Sequence, residues 1–190
     1  MKKILLIAAM ALVSATGFAQ NKFAYVNFTE LVQLMPEMDE VRTKINAIQK
    51  EAGETYQGME TTFNKLYQEY EAQSKVGWSS QTIREDKEKE LTQIQQRMQD
   101  YIQNFQAELQ QSQQELMVPV YNKAQETVNK IAKDGGYTII FDRGTVLYIS
   151  ETQCTDITVA ARKALSIPEG RTLETLQAEL QAQAQAEAAK

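Results

Sequence analysis

The sequence predicts an α+β protein: a small β-body built by oligomerisation, with one long protruding antiparallel α-helical hairpin per subunit. Three observations predict it. Two long apolar stripes with a helical period flank a break at Gly77. Strand-like segments rich in aromatic and β-branched residues fall outside that helical region, at residues 22–28 and 137–149. The part of the chain that bears them has about 60 residues, which is marginal for a self-sufficient core.

Composition removes several kinds of chemistry. The 190 residues carry 20 Lys+Arg against 25 Asp+Glu, no histidine and one cysteine. A histidine-ligated metal site and an imidazole relay are therefore excluded, as is an intrachain disulfide. The net charge of -5 does not suit bulk nucleic-acid binding, which needs phosphates neutralised by Lys and Arg.

Residues 1–19 read as a cleaved export signal. Lys2 and Lys3 precede an apolar run, Ile4–Val13, and Gly17-Phe18-Ala19 offers small residues before a cut at Gln20. The run is shorter than the roughly 20 residues that span a bilayer, so no stable membrane insertion is expected. Loss of the two lysines takes the net charge from -5 to -7. Export exposes the chain to oxidising conditions, yet Cys154 stands alone; it reads as a small, partly buried residue rather than a nucleophile.

The mature chain then reads in order. Residues 20–35 hold a first strand and a short helix from Thr29 to Met35, with Thr29 as its cap. Pro36 fits the first turn of a new helix. Residues 36–118 form the hairpin. Its first arm places Val41, Ile45, Ile48, Ala52, Tyr56, Met59, Phe63, Leu66 and Tyr70 at steps of three and four. Val41, Ala52 and Phe63 recur every eleven residues, which favours little supercoiling or a slight right-handed one. The tip is expected at about 75–82, where Gly77 ends one helix and Ser79 or Ser80 caps the next; Thr82 with Glu85 also fits a capping box. The second stripe is Leu91, Ile94, Met98, Ile102, Phe105, Leu109, Ser112 and Leu116. Ten glutamines lie between Leu91 and Leu116, so the off-stripe faces cannot be buried in a core.

Residues 119–167 should return to the β-body. Pro119 marks a kink or restart, and Val120, Ala124, Val128 and Ile131 continue a helical stripe. Gly135-Gly136 stops it; a phosphate loop would need the reverse order of strand, loop and helix. Residues 137–142 read as a strand, Arg143-Gly144 as a tight turn and 145–149 as an antiparallel return. Asp156 caps a last helix to Leu165, with Ile157, Ala160, Ala161 and Ala164 on its buried side. Residues 168–190 are an Ala/Gln-rich tail, partly helical or disordered. With no disulfide and no metal to hold so small a body, oligomerisation is the remaining means of stabilising it.

The order of parts resembles the Skp/OmpH family of periplasmic chaperones, in its Bacteroidetes-type branch. The resemblance covers about residues 22–167. It rests on Lys22-Phe23-Ala24-Tyr25-Val26-Asn27, the Met35-Pro36-Glu37 junction, the long hairpin, Asp134-Gly135-Gly136-Tyr137-Thr138-Ile139-Ile140-Phe141-Asp142 and Asp156-Ile157-Thr158. It implies a periplasmic homotrimer whose strands join in one body and whose three helical arms enclose unfolded outer-membrane proteins without ATP. Family members linked to anionic lipids are basic. Here residues 37–117 carry nine Lys/Arg against fifteen Asp/Glu, which argues against anionic-lipid binding.

Such a holdase needs many weak contacts and no catalytic group, metal or cofactor. Candidate client contacts are Met59, Phe63, Tyr67, Trp78, Met98, Tyr101 and Phe105. Those on the stripes serve the seam first, and Trp78 packs across the turn before it meets a client. Candidate oligomer contacts are Phe23, Tyr25, Val26, Ile139, Ile140, Phe141, Val146 and Tyr148. The acidic run Glu85-Asp86 and Glu88-Lys89-Glu90 is a solvated helix face, not a catalytic carboxylate pair. The rival reading is a structural coiled-coil spacer or envelope adaptor that docks one folded partner through the hairpin tip.

Overall fold

The computed structural model describes residues 21–188, so the expected leader lies outside the described residues. The chain divides into two compact units: Pro36–Tyr121, and the remainder up to Met35 and from Asn122 onward.

The second of these carries the sheet. Strand β1 (Phe23–Val26) is central, between β2 (Ile139–Asp142) and β3 (Cys154–Asp156), and pairs parallel with both. Phe23 stands opposite Ile139 and Cys154. The expected antiparallel return at 145–149 is corrected: Val146 and Tyr148 lie in a loop, and the third strand comes later and runs parallel. Local bonds explain the redirection. Thr145 folds back on Asp142, donating its amide (3.1 Å) and its hydroxyl (3.0 Å) to the Asp142 carbonyl. Cys154 donates its amide to the Ser150 carbonyl at 2.9 Å. The chain thus reverses twice before it rejoins β1.

Helix α1 (Phe28–Leu34) follows β1 at once. Its cap is Asn27, not Thr29: the Asn27 side chain accepts the Glu30 amide at 3.1 Å and donates to the Glu30 carboxylate at 3.0 Å. Met35, forced out of the helical region by the proline after it, ends the helix in an extended conformation. Pro36 then opens α2 (Pro36–Val76).

Helix α3 (Gln81–Gly135) runs without a restart. Pro119 lies inside it, exposed, and its ring nitrogen cannot supply the Glu115 carbonyl with the usual amide donor. The helix stops where expected. Gly136 adopts φ +64°, and Tyr137 donates its amide back to Ala132 at 2.9 Å. Gly135 must also lack a side chain, since a Cβ there would stand 2.4 Å from the Tyr137 ring.

Helix α4 (Thr158–Ala164) begins where the Asp156 carboxylate accepts the Thr158 amide at 2.8 Å. Its buried residues are Ile157, Ala161 and Leu165; Ala160 and Ala164, expected inside, are exposed. Ser166 takes the left-handed position that ends it (φ 57°), which lets buried Ile167 donate back to Arg162. The tail is more ordered than expected. Helix α5 spans Leu173–Ala188, and Thr172 and Thr175 cap it reciprocally. Leu176 is buried, and α5 packs on α1, as does α4. Arg162 ties these parts together: it pairs with Glu30 at 3.7 Å and donates to the carbonyls of Pro168 and Arg171.

Candidate functional site

Two surfaces carry apolar groups that this chain does not fully use. One is the hairpin seam; the other lies on the sheet-bearing unit.

The seam follows the sequence stripes closely. On α2, Val41 and Ala52 are buried, while Ile45, Ile48, Tyr56, Met59, Phe63, Leu66 and Tyr70 are half-buried. On α3, Ile94 is buried, Leu91, Met98, Phe105, Leu109 and Leu116 are half-buried, and Ile102 is exposed. Cross-arm contacts run in opposite chain order, as an antiparallel pair requires. The Tyr70 hydroxyl donates to Glu88 at 2.8 Å, Lys87 meets Glu69 at 3.5 Å, and the Tyr101 hydroxyl stands 3.5 Å from the Ala52 carbonyl. Two helices cover only one side of each stripe, so half-burial is the geometric outcome for long side chains.

The open sides form shallow grooves. One of about 430 Å³ is lined by Tyr56, Glu60, Phe63 and Asn64 of α2 and by Gln95, Met98 and Gln99 of α3. Another, about 390 Å³, lies between Lys44, Ala47 and Ile48 and the facing Ser112, Glu115 and Leu116. The groove near the tip, about 440 Å³, includes Val76, Trp78 and Ile83.

The expected contact residues separate into groups. Phe63 and Met98 share the first groove. Met59, on the same stripe, is half-buried. Phe63 stacks on Tyr67 with ring centres 6.1 Å apart, and Tyr101 on Phe105 at 6.4 Å; each pair is one helical turn apart on its own arm. Tyr67 is 46% exposed, the most open of these. Trp78 packs against Tyr70 at 5.1 Å and pins the tip, while Val76 beside it is 81% exposed. Val76 and Ile83 escaped the sequence reading because they fall off the stripe.

The tip is also where charge is organised. Hydrogen bonding to Glu88 raises the Tyr70 pKa, with partial burial and the Glu88 charge adding to it and Arg84 opposing. The hydrogen bond to Glu90 raises that of Lys87, helped by the charges of Glu90 and Glu69. Gly77 closes α2 at φ +91°, and Ser80, rather than the Thr82–Glu85 pair, caps α3 by accepting the Ile83 amide at 3.3 Å.

On the sheet, register puts Phe23, Tyr25, Ile139, Phe141 and Cys154 on one face. Phe23 and Phe141 meet at 6.1 Å and are half-buried, and Ile139 is 46% exposed. Tyr25 and Val26 are buried within the chain, Ile140 is half-buried, and Cys154 is half-buried with a free thiol. Arg143 lies over the Tyr25 ring, 5.5 Å from its centre, and burial raises the Tyr25 pKa, with nearby Asp156 adding to it. Val146 is half-buried, while Leu147, Tyr148 and Val159 stand almost wholly in solvent.

A family model described as outer membrane protein (OmpH-like) matches residues 22–165. The chain belongs to the OmpH-like family. The match includes both sheet and hairpin, so the OmpH-like pattern spans both units. The fold agrees with a crystal structure from Caulobacter crescentus CB15, described as a candidate outer membrane chaperone (OmpH-like). That structure has a TM-score of 0.64 and 18% identity, over 76% of this chain and 83% of the other. No curated protein matches. Among the described residues of this OmpH-like chain, no helix is long and apolar enough to cross a membrane.

Proposed function

We propose that this OmpH-like protein is an ATP-independent holdase of the periplasm. It is exported by a cleaved signal at residues 1–19, assembles as a homotrimer, and shields unfolded outer-membrane proteins between its hairpins. The observation that carries the reading is the half-covered seam. Met59, Phe63, Met98 and Phe105 keep part of their surface open along arms whose other faces are Gln, Glu and Lys. Each such contact is weak, but many of them within one enclosure act at high effective concentration. Methionines suit varied partners because their side chains adapt. The family membership supports the reading, as does the description of the Caulobacter structure as a chaperone.

Assembly would use the sheet-bearing unit. Parallel sheets are ordinarily covered on both faces, whereas here Phe23, Ile139 and Phe141 share a partly open face. Leu147 and Tyr148 offer further apolar surface, with Val146 beside them. Ile139→Asp should therefore lower the native mass from trimer to monomer by light scattering; an unchanged mass would count against this interface.

The decisive assay is aggregation of an unfolded outer-membrane barrel protein diluted from urea. One trimer per client should hold it soluble with no nucleotide present. Full aggregation beside a well-folded trimer would favour the spacer reading instead.

A further inference from the structure

The middle of α2 is built from residues that weaken a helix, with nothing in the fold that requires them. Gly53 and Gly58 lie inside the helix, and a Cβ on either would meet nothing within 4 Å. Neither has a positive φ. Close packing and backbone geometry, the two usual reasons for glycine, are both absent at these positions. Thr61 and Thr62 follow, and their hydroxyls donate to the carbonyls of Gln57 and Gly58, both at 2.9 Å. Such back-bonding slightly destabilises and bends helices. Thr55 and Tyr56 are poor helix formers as well.

The facing arm is different. From Gln95 to Phe105, α3 has no glycine, threonine or proline. Tyr56, Met59 and Phe63, the stripe residues of this stretch and its C-terminal edge, are half-buried, so no fully buried side chain anchors it after Ala52. The Tyr101 hydroxyl, 3.5 Å from the Ala52 carbonyl, is placed to accompany that carbonyl if its helical amide partner lets go.

We infer that residues 53–62 of α2 are a soft segment at which the hairpin opens ahead of the rest of the arm, uncovering Tyr56, Phe63 and Met98. The groove of about 430 Å³ that these three residues line is then the resting form of an adjustable site. Its stiff wall is α3 and its yielding wall is α2. Its use by clients rests on the holdase reading above; the opening itself does not.

Hydrogen exchange of the intact mature protein, read by mass spectrometry without client, tests the opening. Amides 53–62 should exchange at least about 10-fold faster than those of 38–48 on the same helix and 95–105 opposite. The double variant Gly53→Ala/Gly58→Ala should slow them by about 30-fold. Even exchange along α2, or no slowing in the variant, would overturn the soft segment. The same two proteins are then compared in the barrel aggregation assay. Weaker protection by the double variant supports the adjustable site. Equal protection by both overturns its link to clients. If neither protein suppresses aggregation, the holdase reading fails, and the exchange pattern still decides the opening.

Discussion

In the sheet-bearing unit, Leu31, Leu34, Met35 and Leu165 are exposed by 1% or less, whereas Phe63, Met98 and Phe105 of the hairpin are only half-covered. Both units hold large apolar side chains at helical spacing, so composition alone does not separate them. The number of covering elements does. Helix α1 is closed in by α4 and α5, while along the hairpin the side-chain contacts of α2 and the facing stretch of α3 run from one arm to the other. Apolar area in the first unit is committed to its own fold. Area in the second remains available to another molecule, which is the arrangement a holdase requires.

That contrast can be broken most directly by truncation in each unit. Leu34→Ala, at a site with no exposure, should cost about 2–5 kcal/mol in chemical denaturation. Phe63→Ala should cost less, about 1–2 kcal/mol, because part of that side chain stays in water. Equal costs would mean that the seam is a core like the other. Next in size is Arg162→Ala, at about 1–3 kcal/mol, since it leaves Glu30 and the Pro168 and Arg171 carbonyls without their cation. Amide exchange in α5 should rise with it; an unaffected α5 would show that Leu176 alone holds that helix.

The hairpin was the more legible half because its signals are local. The stripe from Val41 to Tyr70, the helix stop at Gly77 and Pro36 in a first turn each need only neighbouring residues to be read. Burial of Val120, Ala124 and Val128 followed the same rule. The sheet was harder because its pairing is non-local. Residues 145–149 have strand-like composition, and Arg143-Gly144 looks like a two-residue turn, yet the Asp142 side chain accepts the Gly144 amide at 3.1 Å and the distant Phe28 amide at 3.3 Å. Nothing near Asp142 in sequence announces the second bond. The tail misled in the other direction. Its Ala, Gln and Glu are good helix formers, and Thr172 with Thr175 supplies a reciprocal cap that composition does not announce. Arg162 looked like an ordinary helix-end cation until Glu30 and the 168–171 turn came beside it.

At the tip the contrast narrows, because the hairpin there makes specific contacts of its own. Gly77→Ala meets no steric obstacle but must hold φ +91°, which should cost about 1–2 kcal/mol. Emission of Trp78, the single tryptophan, would report the loosening as a shift toward the solvent-exposed value. No shift would mean that the Tyr70–Trp78 contact survives without the glycine turn.

The smallest expected effect is a pH dependence confined to the same place. Tyr70 donates its hydroxyl proton to the Glu88 carboxylate at 2.8 Å, and that bond is the main reason its pKa lies above 10.0. A phenolate cannot donate, and it would repel Glu88. The folded tip therefore binds the Tyr70 proton more tightly than the unfolded chain does. Its contribution is complete below pH 10 and fades as the pH climbs through the raised value. Trp78 emission should stay flat to about pH 10 and then change, while Tyr70→Phe removes that alkaline step and leaves the neutral spectrum close to its original form. The other tyrosines ionise in both proteins, so the difference between the two curves isolates Tyr70. An alkaline step of equal size in Tyr70→Phe, or a step centred below pH 10, would place the coupling elsewhere and leave the tip as loosely held as the rest of the seam.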